Sequence, residues 1–329
     1  MAGRRSVWSD ARVAALTAEF VPAADEVWRL QRGTDADCRF FQRMVNGGEL
    51  VTDGDSRQGI WVCAASGRLL ASINSRDPDR VLATLRRGLA AWSSLPESER
   101  HLAEGVEIDP EHRWEDSYPE GGLVLERIAR DLVDEGTPEC ERSARWNRDF
   151  AWFTRAEARA WLPADPRPGD ERAVPADSAR RLVRFHLVDN VRGQTLPYAE
   201  DEVREAELLI AVVSRVGSTV ELALRGSTDA VAAGTWLLGE NLWEPRREFA
   251  RGIATRLRGR ATYDLEREAF TRFELVAIGR RFGRSQFNHR RDDPPSLIGF
   301  HFTLARSKPR IAPTFVAVYD ADWVVPPAR

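Results

Sequence analysis

The sequence predicts two domains of different class, α/β plus α+β, the second of them rich in antiparallel strands. At 329 residues the chain is long enough for two domains of ordinary size. Short helical and strand patterns alternate over residues 1–95, whereas residues 121–329 contain long stretches of alternating polar and apolar residues. Residues 96–120 are rich in Pro and Glu and are predicted to form a linker or an extended wrapping segment.

The composition is that of a globular chain with little net charge. Hydrophobic residues make up 43%, charged residues make up 30%, and the formal net charge is −3. This charge gives no electrostatic reason to expect nucleic acid or an acidic membrane as a partner. No apolar run is long enough to span a bilayer, and the first residues lack the apolar core of a signal peptide. We therefore expect a cytoplasmic protein, unless a mis-assigned start codon hides an export signal upstream.

The first predicted element is a helix that begins at Ser9, whose hydroxyl is a good N-cap. Val13, Leu16 and Phe20 then fall on one helical face, and the helix ends before Pro22.

A strand and a second helix are predicted next. Val27 and Leu30 are the apolar residues of the strand. The helix covers residues 37–45, with Thr34 or Asp35 as its N-cap. Its inward-facing residues are Phe40, Phe41 and Met44.

A hairpin and a long helix complete the first domain. Apolar residues alternate on both sides of a turn at Ser66-Gly67, which predicts a β-hairpin over residues 59–74. Asp77-Pro78 begins the helix, because Pro is tolerated in a first turn. The apolar stripe of this helix consists of Val81, Leu82, Leu85, Leu89 and Trp92.

The predicted order of helix, strand, helix, hairpin and helix over residues 6–94 resembles the thioredoxin-like superfamily. Asp-Ala-Arg-Val-Ala-Ala-Leu at residues 10–16, with Phe-Val-Pro at residues 20–22, is similar to an Asp-Pro-x-Val…Phe-Val pattern of that superfamily. The resemblance implies a thioredoxin-like domain without the redox motif, because the chain contains no Cys-x-x-Cys. Arg57-Gln58 occupies the place of the family's cis-proline, and we expect the groove around Arg57 and Gln58 to bind a partner.

The family's redox motif precedes the first helix, and this position corresponds here to Met1 or to residues before it. We therefore expect the missing first strand and a Cys-x-x-Cys, if they exist, to be encoded upstream.

The three cysteines, Cys38, Cys63 and Cys140, are too widely spaced for a disulfide framework or a metal site. Cys38 falls in the first turns of the second predicted helix, where the helix dipole favours a thiolate and neighbouring acidic residues oppose it. Two interpretations of Cys38 stay open, an ordinary helix cysteine and a reactive thiol. Cys63 is predicted to be a core residue.

From residue 121 onward the pattern indicates helices packed on antiparallel strands, in a sandwich or a partly closed barrel. Residues 123–132 are predicted to form a strand, with a helix as the alternative. Thr154 and Glu157 form a capping box for a short helix, and another helix begins near Asp177. The later predicted strands are 207–214, 219–224, 251–264, 269–280, 296–304 and 315–319.

Residues 184–193 contain the best cluster of candidate functional side chains. His186 can act as an acid or a base, Asp189 can orient it, and Arg192 can hold an anion. The alternative is a buried, hydrogen-bonded histidine followed by a surface turn. The other histidines lack metal-ligand spacing, so that neither a metal nor a cofactor is predicted. The Arg-rich residues 251–260 are interpreted as a solvated face with pairing partners, with anion binding as the alternative.

Three hypotheses of function stay open. The preferred one is a non-catalytic adaptor or binding protein, whose thioredoxin-like groove and C-terminal sheet bind a protein or an extended ligand. The second is an atypical single-cysteine thiol oxidoreductase or redox sensor that uses Cys38. The third is a small-molecule binding or hydrolytic site around His186, Asp189 and Arg192. The sequence does not identify the ligand or the oligomeric state.

Overall fold

The computed structural model describes residues 5–8, 10–24, 27–46, 57–102, 114–132, 146–234, 248–285, 288–290, 295–306 and 310–324. The chain divides into two compact units, Met1–His112 with Pro327–Arg329 and Arg113–Pro326. The elements of the first unit are α1 (Arg5–Trp8), α2 (Ala11–Thr17), α3 (Val27–Arg32), α4 (Ala36–Asn46), β1 (Ile60–Cys63), β2 (Leu69–Ile73), α5 (Pro78–Ser93) and α6 (Glu97–Arg100).

The first unit is built around the predicted hairpin of β1 and β2, which pair antiparallel with Ile60 opposite Ile73. One face of the hairpin packs through Val62 against buried residues of α1, α2 and α5. The other face packs against α3 and α4, where the rings of Trp61 and Phe41 meet edge to face at 6.2 Å. Because side chains alternate along a strand, the short hairpin supports a helical layer on each side.

Two expectations for this unit are wrong. The segment that ends at Leu30 is helix α3 and not a strand, because Val27 and Leu30 are three residues apart and both pack against the core residues of α4. The N-cap of α2 is Asp10, whose Oδ1 accepts from the backbone N–H of Arg12 at 2.9 Å; Ser9 lies outside the described residues. Within the described part of this unit the hairpin is the only sheet, and the thioredoxin-like arrangement is not confirmed.

The elements of the second unit form one large sheet with a few helices. They are a 3-10 turn (Trp114–Ser117), β3 (Leu123–Asp131), β4 (Trp146–Phe153), α7 (Arg155–Ala160), β5 (Glu171–Ala173), α8 (Ala176–Arg181), a π-helical turn (Leu182–His186), β6 (Val203–Val216), β7 (Thr219–Gly234), β8 (Phe249–Asp264), β9 (Ala269–Gly283), β10 (Ser296–Leu304) and a second 3-10 turn (Val316–Val318).

The sheet has eight strands in the order β4-β3-β10-β9-β8-β7-β6-β5, and every neighbouring pair is antiparallel. Among the described residues, strands β4 and β5 form its two edges and are not paired with each other, so that the sheet is not a closed barrel. The finer expectation of a sandwich or a partly closed barrel stays a prediction. The prediction of a large antiparallel sheet is confirmed. A strand is also confirmed for residues 123–132, where inward residues alternate with half-buried ones.

The core of the second unit lies on one face of this sheet. Buried residues of the strands, such as Leu125, Leu257 and Phe300, pack there against Trp161 and Leu182, which follow α7 and α8. The predicted capping box is present at α7, where Thr154 and Glu157 bond each other's backbone N–H groups. A smaller cluster around Trp152 and Tyr319 joins the edge strand β4 to the C-terminal residues.

The last predicted strand, over residues 315–319, is wrong. This segment forms the second 3-10 turn, in which Val316 and Tyr319 are buried against Trp152 and Phe185 rather than paired with a neighbouring strand. Among the helices whose residues are described, none combines the length and apolarity needed to cross a bilayer.

Candidate functional site

Strand β3 carries two charged residues, Arg127 and Asp131, on the face that points into the core. Arg127 is fully buried between Leu125 and Ala129, and it lies opposite Asp149 of β4. Its Nη2 is 3.6 Å from Asp149 Oδ2, and its Nη1 donates to Asn190 Oδ1 at 3.2 Å. Its Nε has no hydrogen-bond partner among the described residues. Burial lowers the pKa of Arg127, and the Asp149 carboxylate opposes this effect.

The imidazole of His186 connects this pair to the C-terminal residues. His186 ends the π-helical turn and is fully buried. Its Nδ1 lies 3.2 Å from Asp149 Oδ2, and its Nε2 lies 2.6 Å from the Tyr319 hydroxyl. Asp149 Oδ1 also accepts from the Thr314 backbone N–H at 2.8 Å. One carboxylate therefore fixes the histidine and the segment that contributes the tyrosine.

The contacts define the protonation states of this relay. Burial lowers the pKa of His186, so that the imidazole is neutral near pH 7. Burial alone would raise the pKa of Asp149, but the hydrogen bond from His186 and the charge of Arg127 lower it to about 2. His186 therefore donates from Nδ1 to Asp149 and accepts at Nε2 from Tyr319. Burial raises the pKa of Tyr319 well above its usual range, which keeps the hydroxyl protonated.

The other two predicted site residues belong to a second ionic cluster. Asp189 accepts from Arg290 Nε at 2.8 Å and from Nη2 at 2.7 Å, and Arg281 Nε lies 3.1 Å from it. Arg290 also bonds Asp131, which accepts from Arg192 Nε at 2.7 Å. The structure thus brings Asp189 and Arg192 together through Arg290 and Asp131. His186 is oriented by Asp149 and not by Asp189, so that this expectation is wrong.

Sequence reasoning missed Asp131, Asp149, Arg290 and Tyr319. A signal was present in β3, because charged residues at positions 127 and 131 interrupt an inward apolar pattern. The partners of these charges come from segments that lie far apart in the chain. No local pattern identifies such partners.

A pocket of about 320 Å³ lies close to this network, between the segment 184–199 and the ends of β7, β8 and β9. Its walls are mainly apolar and include Phe185, Leu196 and Phe249. His186 does not line it, although its chain neighbour Phe185 does. The pocket lies within the size range of small-molecule sites.

Three guanidinium groups line the pocket, each over an aromatic ring. The Cζ of Arg184 is 4.8 Å from the ring centroid of Phe185, that of Arg251 is 4.3 Å from Tyr198, and that of Arg284 is 5.0 Å from Phe249. Such stacking fixes the plane of a guanidinium, whose in-plane N–H groups are the ones that bind anions. The acidic residue of the lining, Glu202, accepts from the Ala199 backbone N–H at 2.8 Å.

Arg251 is the arginine most firmly fixed in this pocket. Its Nη2 donates to the Pro197 carbonyl at 2.9 Å, and its ring partner Tyr198 is almost fully buried. Burial raises the pKa of Tyr198 to about 12, an effect that the nearby Arg251 charge partly opposes. The tyrosine is therefore neutral and does not neutralise the arginine.

The cysteine candidates lie elsewhere. The Cys38 side chain is fully buried in α4, its Sγ lies 3.1 Å from Asp35 Oδ2, and Asp35 Oδ1 accepts from the Cys38 backbone N–H. The thiol is therefore enclosed and hydrogen-bonded within its own helix start. Burial raises the pKa of the Cys63 thiol, and Cys140 lies outside the described residues.

The predicted binding residues Arg57 and Gln58 precede β1. The backbone N–H of Arg57 donates to Gln31 Oε1 and its Nη1 donates to Asn46 Oδ1, both at 2.6 Å, while Gln58 is exposed. These bonds connect Arg57 to the ends of α3 and α4. These contacts give Arg57 a structural role beside the hairpin.

Comparison of the chain with family models, curated proteins and solved structures gave no match. Across the described ranges, no group of three or more His, Cys, Asp or Glu side chains is arranged to hold a metal ion. The arrangement therefore has to be interpreted from its own geometry. That geometry consists of a closed polar relay and, beside it, an open pocket with arginines on apolar walls.

Proposed function

We propose that this chain is a binding protein whose C-terminal unit takes a small organic anion with an apolar body. The observation that carries the proposal is the placement of three arginine–aromatic pairs around one apolar pocket. Apolar walls favour a hydrocarbon or aromatic body, and a guanidinium edge favours a carboxylate or a phosphate. The ligand class is an anionic, partly apolar small molecule.

Charge supports the same ligand class. Three arginines face one glutamate in the lining, and Glu202 is already engaged by the Ala199 N–H. Of the three, Arg184 is partly neutralised, since its Nη1 donates to Glu200 at 2.8 Å. Arg251 instead bonds a neutral carbonyl and a neutral ring. We therefore assign Arg251 as the principal anion-binding residue.

The buried relay acts here as a positioning device. His186 ends the π-helical turn that carries Arg184 and Phe185 into the pocket wall. Its two hydrogen bonds, to Asp149 and Tyr319, fix the end of that turn against β4 and the C-terminal segment. Because the relay is closed to solvent, we assign it to the support of the pocket and not to hydrolysis.

The test uses 2-naphthoate and its neutral analogue 2-naphthalenemethanol as probes, with affinities measured by isothermal titration calorimetry. We expect the carboxylate to bind more tightly than the alcohol. In Arg251→Gln the affinity for 2-naphthoate should fall about tenfold or more, in line with the loss of a charge-assisted hydrogen bond. The affinity for the alcohol should change little.

The matched control is Arg225→Gln, which removes an exposed arginine from β7 outside the pocket lining. This variant should bind both probes as the parent protein does. Equal affinity of the parent protein for the acid and the alcohol would contradict an anion site. Equal losses in the two variants would show that the effect is one of net charge alone.

A further inference from the structure

Strand β8 presents a row of three arginines on the face of the sheet that points away from the core. Arg256, Arg258 and Arg260 alternate with the inward residues Leu257 and Gly259, and all three are exposed. At a rise of about 3.4 Å per residue, neighbouring arginines of the row are about 7 Å apart. The row lies in the middle of the sheet, because β8 has three strands on one side and four on the other.

The row has no ion-pair partner among the residues that the structure describes. Arg258 lies opposite Arg225 of β7, whose guanidinium is bound to Glu171 at 2.9 Å. Arg260 lies opposite Glu274 of β9, which instead contacts Arg272 at 3.8 Å and His301 at 3.3 Å. The pairing partners expected for these arginines are therefore engaged elsewhere.

This arrangement opposes folding. Like charges directly opposite each other on neighbouring strands destabilise a sheet, and Arg258 faces Arg225 in this way. Repulsion along the row adds to that cost. An anion bound to the row would reduce this repulsion. The N–H groups of the exposed guanidinium groups can donate hydrogen bonds to such an anion.

We propose that the arginine row, Arg256, Arg258 and Arg260, binds an acidic protein segment in extended conformation. In an extended chain, side chains two residues apart point to the same side with the same repeat of about 7 Å. Acidic residues at alternate positions of such a segment therefore match the row one to one. Each carboxylate then meets a guanidinium, whose planar fork binds carboxylates through two parallel hydrogen bonds.

The neighbouring strand supplies an apolar border that suits the remaining side chains of a peptide. Val276 of β9 lies opposite Arg258, and Ile278 lies opposite Arg256 with 47% of its surface exposed. Exposed apolar residues beside a charged row are typical of a protein-binding surface.

A single-stranded nucleic acid fits these observations less well. Binding of bases requires aromatic stacking platforms, and the outward residues opposite the row on β7 and β9 are not aromatic. The formal net charge of −3 and the pI near 6.1 also differ from the basic character of nucleic-acid-binding domains. A short acidic peptide needs only the local charge of the row.

The experiment measures fluorescence anisotropy with a labelled peptide of four Glu-Thr repeats. We expect saturable binding that weakens as the salt concentration rises. A peptide of the same composition, with four Glu followed by four Thr, should bind more weakly because its carboxylates cannot all face the row. The triple variant R256Q/R258Q/R260Q should lose at least tenfold in affinity for the alternating peptide.

The matched control is R76Q/R80Q/R86Q, which removes three exposed arginines from the first unit and changes the net charge equally. It should bind as the parent does, and far-ultraviolet circular dichroism checks that both triple variants are folded. The proposal is overturned by equal affinity of the two triple variants, by equal affinity for the two peptides, or by tighter binding of an eight-nucleotide oligo(dT).

Discussion

Arg127 and Asp149 face each other from neighbouring strands, and both side chains are withdrawn from water. Transfer of two charges into an apolar interior is costly, and only good geometry with further hydrogen bonds offsets it. Asn190, Thr314 and the Nδ1–H of His186 supply these bonds. The network is therefore coupled, since loss of any one partner leaves another buried polar group unsatisfied.

The contribution of the tyrosine can be isolated with Tyr319→Phe. The substitution keeps the ring that packs on Phe185 but leaves His186 Nε2 without its donor. We expect a loss of about 1–3 kcal/mol in the free energy of unfolding, the usual cost of an unsatisfied buried group. Urea denaturation followed by circular dichroism measures this loss.

Tyr118→Phe serves as the control for that substitution. Tyr118 contacts the same aromatic cluster, with its ring 5.4 Å from that of Trp152, and its hydroxyl makes no hydrogen bond to the described residues. Loss of this hydroxyl should change the free energy of unfolding by less than about 0.5 kcal/mol, as is usual for a substitution that removes no buried packing, hydrogen bond or ion pair. Equal effects of the two substitutions would show that the relay does not stabilise the fold.

Helix α5 depends on one glycine for its close approach to the hairpin. A Cβ built on Gly88 would lie 2.6 Å from Val62 Cγ1, which is shorter than any van der Waals contact. Gly88→Ala gains about 1 kcal/mol in helix propensity but forces α5 away from β1. We expect net destabilisation of about 1–2 kcal/mol, measured as a lower urea midpoint of the first unit.

A double variant with Val62→Ala distinguishes this clash from a general intolerance of the helix. Val62→Ala alone removes buried methyl groups and should cost about 1–2 kcal/mol. Together the two substitutions should cost less than their sum, because the new methyl fills the space that the valine leaves. Strict additivity would mean that α5 is not limited by Val62.

Local patterns predicted those elements whose core contacts are local. Alternating apolar residues and a turn predict the hairpin of β1 and β2, and the N-cap Asp77 predicts the helix that follows it. Both elements are present. The four longest strands, β6 to β9, are longer than predicted. Hydrogen bonding to neighbouring strands extends each one past the residues in which polar and apolar side chains alternate. The strand prediction for α3 is wrong, because Val27 and Leu30 are three residues apart, a spacing that places them on one face of a helix but on opposite faces of a strand.

The candidate site was predictable only in part. His186 was identified from its residue type, and its burial supports the alternative of a hydrogen-bonded histidine. Asp149 and Tyr319 were not identified, because strand register and the path of the C-terminal segment bring them to it. The pocket arginines come from three separate segments, and the inward position of Arg251 depends on where β8 begins. These are consequences of sheet order, which a single sequence does not specify.

Arginines carry the proposed anion binding on both faces of the large sheet, but the surroundings of these arginines differ between the two faces. At the pocket Arg251 lies against a buried ring, whereas on the outer face Arg258 is exposed. Attraction to an anion is screened by salt at the exposed row and much less in the pocket. Raised salt should therefore weaken peptide binding to the row more strongly than naphthoate binding to the pocket.

The buried relay also makes the stability of the second unit depend on pH, and the sign follows from the pKa shifts. Burial lowers the pKa of His186 below its usual value of 6.5, so that the unfolded chain binds more protons as pH falls below that value. Asp149 has a pKa of about 2 against an ordinary 3.8, which gives the same sign between about pH 4 and pH 2. Both groups therefore stabilise the fold at neutral pH and less in acid.

Only His186 of this pair contributes between pH 6.5 and pH 4.5, which allows its effect to be measured separately. In the parent protein the free energy of unfolding should fall through this window, with a slope of up to about 1.4 kcal/mol per pH unit from this one proton. His186→Gln should be less stable at pH 7 and should lose most of that slope. His301→Gln should keep it, because the His301 ring is half exposed and lies 3.3 Å from the half-exposed Glu274 rather than in a buried network. An unchanged slope in His186→Gln, measured by urea titration across this window, would mean that the histidine is not held neutral by burial and that groups elsewhere determine the acid sensitivity.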